Sequence, residues 1–310
     1  MRVVIALGGN ALLRRGDPPD LHVQRRNIEV AAEAVAQIAR EHTVILTHGN
    51  GPQIGFLAMQ TGAQPTSLDA LGAESEGLIG YMIEQAVANR LPGRAVGTLL
   101  TQVEVDCNDP AFGKPEKPIG PVLDEAAAQR LSAERGWTMA RADGGFRRVV
   151  PSPEPRRIIE LAAIQALVTA GVVVICAGGG GIPVTINAAG AMRGVEAVID
   201  KDLSAALLAA EVHADRLLLL TDVPGVFADW PKCQQLIHAA DAENIAPYDF
   251  AAGSMRPKLE AARRFVQQTG GRAAIGALDD AVNLLAGVSG TMISAGGNRM
   301  VTAGGRRAVR

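Results

Sequence analysis

Arg2-Val3-Val4-Ile5-Ala6-Leu7, running directly into Gly8-Gly9-Asn10, is the stretch that sets the fold. An aliphatic run of this kind, stopped by paired glycines, reads as a strand buried on both faces inside a parallel sheet. The same pattern recurs twice. Thr43 to Thr47 ends in His48-Gly49-Asn50-Gly51, and Val172 to Cys176 is followed by Gly178-Gly179-Gly180-Gly181. In a parallel sheet all three turns emerge at the carboxyl edge of the strands, where open α/β folds bind ligands. Glycine lets the backbone approach a bound group, and successive N–H groups at a helix start suit phosphate.

Outward from these turns, Ala95 to Thr101, Gly171 to Cys176, Val195 to Ile199, Arg216 to Thr221 and Arg272 to Ala277 are further strand candidates. Val23 to Arg40, Ala73 to Leu91, Arg156 to Thr169, Asp202 to Val212 and Pro257 to Gln268 have helical spacing, with Asp202 placed as an N-cap. The alternation predicts a three-layer α/β/α sandwich with a mainly parallel central sheet, a single domain over 1–310. One segment breaks the rhythm. Between 103 and 155 lie prolines at 110, 115, 118, 121, 151, 153 and 155 and a single convincing helix, Leu123 to Arg135. That is too long for an ordinary connection, so it reads as an inserted, small protruding lid subdomain. Gly304 to Arg310 reads as a frayed tail.

Composition narrows the chemistry. Thirty Lys and Arg against 32 Asp and Glu give a net charge of −2, which leaves no basic footprint for nucleic acid, and aromatics at 3% leave no stacking platform. The N-terminal apolar run is too short for a signal peptide and no run reaches membrane-spanning length, which predicts a cytoplasmic protein. Cys107, Cys176 and Cys233 have neither disulfide nor zinc spacing and read as reduced, mostly buried thiols. His22, His42, His48, His213 and His238 have no ligand spacing, and His48 reads as a hydrogen-bonded turn residue. There is no G-x-x-x-x-G-K-[ST], no G-x-G-x-x-G opening the first helix, no H-E-x-x-H and no G-x-S-x-G, so P-loop, metalloprotease and serine-hydrolase chemistry fall away.

Only five of the thirty cations are lysines: Lys114, Lys117, Lys201, Lys232 and Lys258. A lysine is a compact charge with rotatable donors that can track a moving phosphoryl group, whereas Arg is a rigid planar fork. In a chain that otherwise uses Arg, a lysine at a glycine-rich strand end is a functional candidate. Lys201 lies between Asp200 and Asp202, Lys258 follows Gly253-Ser254-Met255-Arg256-Pro257, and Lys117 sits in the insertion. Lys114 and Lys232 read as solvated surface charges that Arg would replace without consequence.

These segments carry a resemblance. Val4 to Leu12, Thr47 to Gln53, Lys117-Pro118-Ile119-Gly120-Pro121, Ala177 to Val184, Val198 to Asp202 and Gly253 to Lys258 resemble, in order, the motif series of carbamate kinases within the amino-acid kinase family. Arg256 stands where that series usually has Gly. The resemblance implies reversible phosphoryl transfer between carbamoyl phosphate and ADP, with Mg²⁺ held mainly through phosphates and water rather than by a dedicated protein cage. It implies that Gly8, Gly9, Asn10, Gly49, Asn50 and Gly51 bind the phosphoryl group and carbamate through backbone N–H groups and the Asn amides. Lys201 would bridge the moving group, Asp202 would hold the lysines, Lys258 would neutralise the nucleotide phosphates and Lys117 would reach down from the lid. The nucleotide would contact Lys201, Asp222, Met255 and Lys258, with adenine near Leu219 to Phe227. A homodimer and a setting in arginine breakdown are further expectations. The alternatives are a kinase of the same fold acting on another small acid or phosphonate, and a non-catalytic nucleotide-binding sensor.

Overall fold

A computed structural model describes residues 1–13, 20–61, 66–228, 235–245, 255–296 and 301–302. Its central sheet joins β1 (Arg2–Leu7), β2 (Thr43–His48), β3 (Val96–Leu99), β9 (Val173–Cys176), β12 (Arg216–Thr221), β13 (Phe227–Ala228), β14 (Gln235–Asp241), β15 (Arg272–Ala277), β16 (Thr291–Ser294) and β17 (Val301–Thr302). The order is β13-β14-β16-β15-β12-β1-β2-β9-β3, with β17 against β14. From β15 to β3 every neighbour is parallel, and antiparallel pairing is confined to the far edge.

The period of two along β1 divides the core. Val4 and Ala6 point to one face, where α6 (Leu161–Thr169), α7 (Lys201–Glu211) and α8 (Met255–Thr269) cover them; Val3, Ile5 and Leu7 point to the other, under α2 (Leu21–Glu41), α4 (Leu68–Ala88) and α9 (Ala281–Ala286). Both faces of the sheet are therefore dry, which is why these strands read as unbroken aliphatic runs.

Two smaller sheets are appended. β4 (Gln102–Glu104), β8 (Arg157–Ile158), β10 (Ile182–Ile186) and β11 (Met192–Gly194) form one, in the order β11-β10-β4-β8. The other, β5 (Lys117–Leu123), β6 (Met139–Ala142) and β7 (Gly145–Val150), lies within the insertion together with α5 (Glu125–Arg135). This second sheet is seated on α3 (Gly51–Gln60). Ile119, Leu131, Trp137 and Val150 share a core with Ile54, Ala58, Leu68 and Leu71. Gly55 and Gly120 meet so closely that a Cβ at Gly55 would overlap the Gly120 backbone, and Gly120 has φ +71°. Arg135 donates to the Ala58 and Thr61 carbonyls at the end of α3.

Three expectations change. Val195 to Ile199 is not a strand: Ala197 and Ile199 are buried, but the segment pairs with no ladder and leads into α7. Its aliphatic run signals burial, which an extended connection satisfies as well as a strand does. The segment after Arg156 begins as β8, and helix starts only at Leu161. The N-cap of α7 is Asp200, whose side chain accepts from the Asp202 N–H at 2.9 Å, a cap worth about 1 kcal/mol. Of the cysteines, Cys176 is buried but Cys107 is exposed; Cys233, Lys232, Gly253, Ser254 and the tail from Gly304 lie outside the described residues.

Candidate active site

Strand register aligns the glycine turns. Leu7 pairs with both His48 and Leu220, and Leu46 pairs with Ile175, so β1, β2, β9 and β12 reach the same level before they turn. Gly8, Gly49, Gly178 and Thr221 follow in one row along the carboxyl edge. A Cβ at Gly49 would stand 2.7 Å from the Gly9 nitrogen, and one at Gly8 would stand 2.8 Å from the Leu220 carbonyl oxygen. The Gly8 and Gly49 N–H groups are already spent on the Leu220 and Leu7 carbonyls. These two glycines therefore serve close approach, whereas Gly51, at the head of α3, stands where a helix leaves its N–H groups without intrahelical partners. The Asn10 side chain lies outside the described residues.

Facing this row, α7 and α8 bring three charges together. Lys201 Nζ lies 2.6 Å from one Asp202 oxygen and Lys258 Nζ lies 3.1 Å from the other, all three side chains being at most 10% exposed. Burial holds Lys201 below the ordinary lysine value, with Lys258 adding repulsion that Asp202 only partly offsets. Burial also disfavours the charge on Lys258, but the pull of Asp202, with Asp200 and Asp222 behind it, places it above the ordinary value. Asp202 sits well below the usual carboxylate range because the two ammonium groups outweigh its burial. One carboxylate is thus shared by two buried lysines, and it favours the charged form of each against the cost of burial.

Lys117, at the head of β5, reaches Asp200 at 2.8 Å. Asp200 thus caps α7 with one oxygen and receives the insertion's lysine on the other. Asp222 follows β12 at the surface and accepts from Thr221 Oγ1, while Met255 opens α8 one turn before Lys258. The turns after β1, β2 and β12 that carry the residues assigned to the phosphoryl group and Asp222 accordingly lie along one sheet edge. Among the described residues Lys114 pairs only with Glu116, at the surface.

Several participants escape a reading of motifs. The Ala177 backbone takes the left-handed region at φ +50°, which costs about 1–2 kcal/mol for a residue with a Cβ. Thr47 Oγ1 donates to its carbonyl at 2.7 Å and Thr101 Oγ1 accepts from its N–H at 3.0 Å. Asn50 Nδ2 donates to Ser75 Oγ at 2.8 Å. Glu76, in the middle of α4 and 1% exposed, accepts from the Gly178 N–H at 2.8 Å and the Thr101 N–H at 3.3 Å. Burial pushes its carboxyl up to about 8 against the pull of those N–H groups. His48 is fully buried at the end of β2; burial brings it down to about 4, so it stays neutral beside Lys201.

The fold places a buried lysine–aspartate trio and three glycine turns at one sheet edge, and comparison with known proteins gives the chain a family of phosphotransferases. The amino acid kinase family model matches residues 1–276, and the chain belongs to that family. Within it, the chain is 50% identical to the carbamate kinase of Haemophilus influenzae over 95% of this chain and 97% of that one. It is 46% identical to the carbamate kinase of Pyrococcus furiosus, over 94% and 98%. The solved structure of carbamate kinase from Giardia lamblia bound to citric acid superposes with TM-score 0.89 at 40% identity, covering 95% of this chain and 98% of that one.

Proposed function

We infer that this chain is a carbamate kinase, moving a phosphoryl group reversibly between carbamoyl phosphate and ADP, with carbamate and ATP as the other pair. The observation that carries it is the buried Lys201–Asp202–Lys258 trio opposite the aligned glycine turns, in a chain about half identical to carbamate kinases. The bond between phosphorus and the carbamate oxygen breaks as one between phosphorus and an ADP β-phosphate oxygen forms. No covalent enzyme intermediate is required, so the protein's task is placement and charge stabilisation. Gly9, Asn10, Asn50 and Gly51 cradle the carbamoyl phosphate end; Met255, Asp222 and Lys258 receive the nucleotide, with adenine near Leu219 to Phe227. Lys201 spans both. Mg²⁺ would be held mainly through the nucleotide's phosphate oxygens and water, since Asp200 and Asp202 already face lysines. When bound, the ion neutralises phosphate charge.

ATP formation from ADP and carbamoyl phosphate tests the reading directly. ATP is expected to phosphorylate carbamate and to leave amino acids and acetylglutamate untouched; turnover of either of those instead assigns the chain to another kinase of the same fold. The lid gives a second test. Lys117→Ala is expected to lower kcat/KM for carbamoyl phosphate about 100-fold while ADP affinity changes less than about threefold, because Lys117 touches α7 only through Asp200. Equal loss on both substrates would overturn its role. We also propose a cytoplasmic homodimer working in arginine breakdown; among the described residues, no helix is long and apolar enough to cross a membrane.

A further inference from the structure

We propose that Glu76 is a positioning residue for phosphoryl transfer, fixing the tetraglycine turn against the Asn50 turn and Lys201. The inference rests on the carbamate kinase reading and goes beyond the motif residues, since Glu76 lies mid-helix in α4 and belongs to none of the glycine turns. Its two carboxyl oxygens accept from the N–H groups of Gly178 and Thr101, the residues just beyond β9 and β3. Its neighbour Ser75 takes the Asn50 amide. Adjacent residues of one helix thus tie down two of the three turns.

The turn they hold has little slack. Gly179 has φ +70°, and a Cβ there would overlap the Asn50 carboxamide; a Cβ at Gly180 would stand 2.6 Å from the Ile199 carbonyl oxygen. On the far side, Ser204 of α7 donates to the Gly180 carbonyl at 2.7 Å, three residues along from Lys201. The tetraglycine turn is therefore wedged between Asn50 and the helix that carries the central lysine. A displacement there changes the gap that the phosphoryl group must cross. A buried carboxyl is a costly filler where an aliphatic side chain would pack. What it supplies is a paired acceptor for two N–H groups that no strand satisfies.

The test is Glu76→Gln in the full chain, assayed with ADP and carbamoyl phosphate. Gln fits the same space and accepts from one N–H, but it turns its own NH₂ toward the other. Expected is a kcat lower by roughly 10- to 100-fold with KM for ADP within about twofold, in a protein that melts cooperatively. Wild-type kcat in the folded variant overturns the proposal, as does a loss that only tracks the unfolded fraction. If Glu76→Gln does not fold, Glu76→Asp decides: the same split at smaller size supports the proposal, and wild-type kcat overturns it. A wild-type chain that forms no ATP from these substrates overturns the carbamate kinase reading itself, a result distinct from parity between wild type and variant.

Discussion

Lys201→Arg is expected to lower ATP formation from ADP and carbamoyl phosphate about 1,000-fold, a loss of about 4 kcal/mol of transition-state stabilisation. The substitution keeps the positive charge, so the loss measures shape. Lys201 is 8% exposed and its ammonium rests 2.6 Å from Asp202, with Lys258 on the other oxygen of the same carboxylate. A planar guanidinium fits Asp202 as a two-point fork, which fixes it to the carboxylate and stiffens the donor that has to follow phosphorus from one oxygen to the other. KM for ADP is expected to stay within a few-fold, because Lys258 and Met255 on α8 are unchanged. Near-wild-type kcat would remove Lys201 from the reaction. The same exchange at Lys114, exposed and paired to Glu116, is expected to change nothing measurable.

How much of this was legible in sequence follows from what each signal reports. Dry parallel strands show as aliphatic runs, so β1, β2 and β12 stand where Val3 to Leu7, Thr43 to Thr47 and Arg216 to Thr221 place them. The turns at their ends were legible because glycine is required where backbones meet. Lys201 and Lys258 stood out through the scarcity of lysine. Glu76 and Ser75 did not, because they sit inside a helical pattern and act through backbone N–H groups that sequence does not locate. Their one trace is a charged residue among apolar helix positions, between Leu71 and Ile79. Asp200 was visible only as Lys201's neighbour, since a cap and a lysine 83 positions away meet only after folding. Val195 to Ile199 misled because aliphatic content reports burial and leaves hydrogen-bond partners unspecified.

Asp202→Asn is expected to cost stability as well as turnover, and the way ligand restores it is diagnostic. Asp202 is the shared counter-charge of two buried ammonium groups, and Asn fills its space without the charge. Breaking a buried pair from one side leaves an uncompensated charge worth about 3–5 kcal/mol, so the free variant is expected to melt roughly 5–10 °C lower. Losing that anion takes Lys201 further below its unfolded value and removes the pull that holds Lys258 above its own. The unfolded chain then binds more protons, so the variant's deficit is expected to shrink as pH rises from about 7 toward 10. ADP supplies negative charge to the same two lysines. It is therefore expected to raise the melting temperature of Asp202→Asn by more than it raises that of the wild type, even though the variant turns over at least about 100-fold more slowly. Equal ligand shifts in the two proteins would mean that the lysines are not the nucleotide's partners. An unchanged melting temperature without ligand would mean that Asp202 does not hold them.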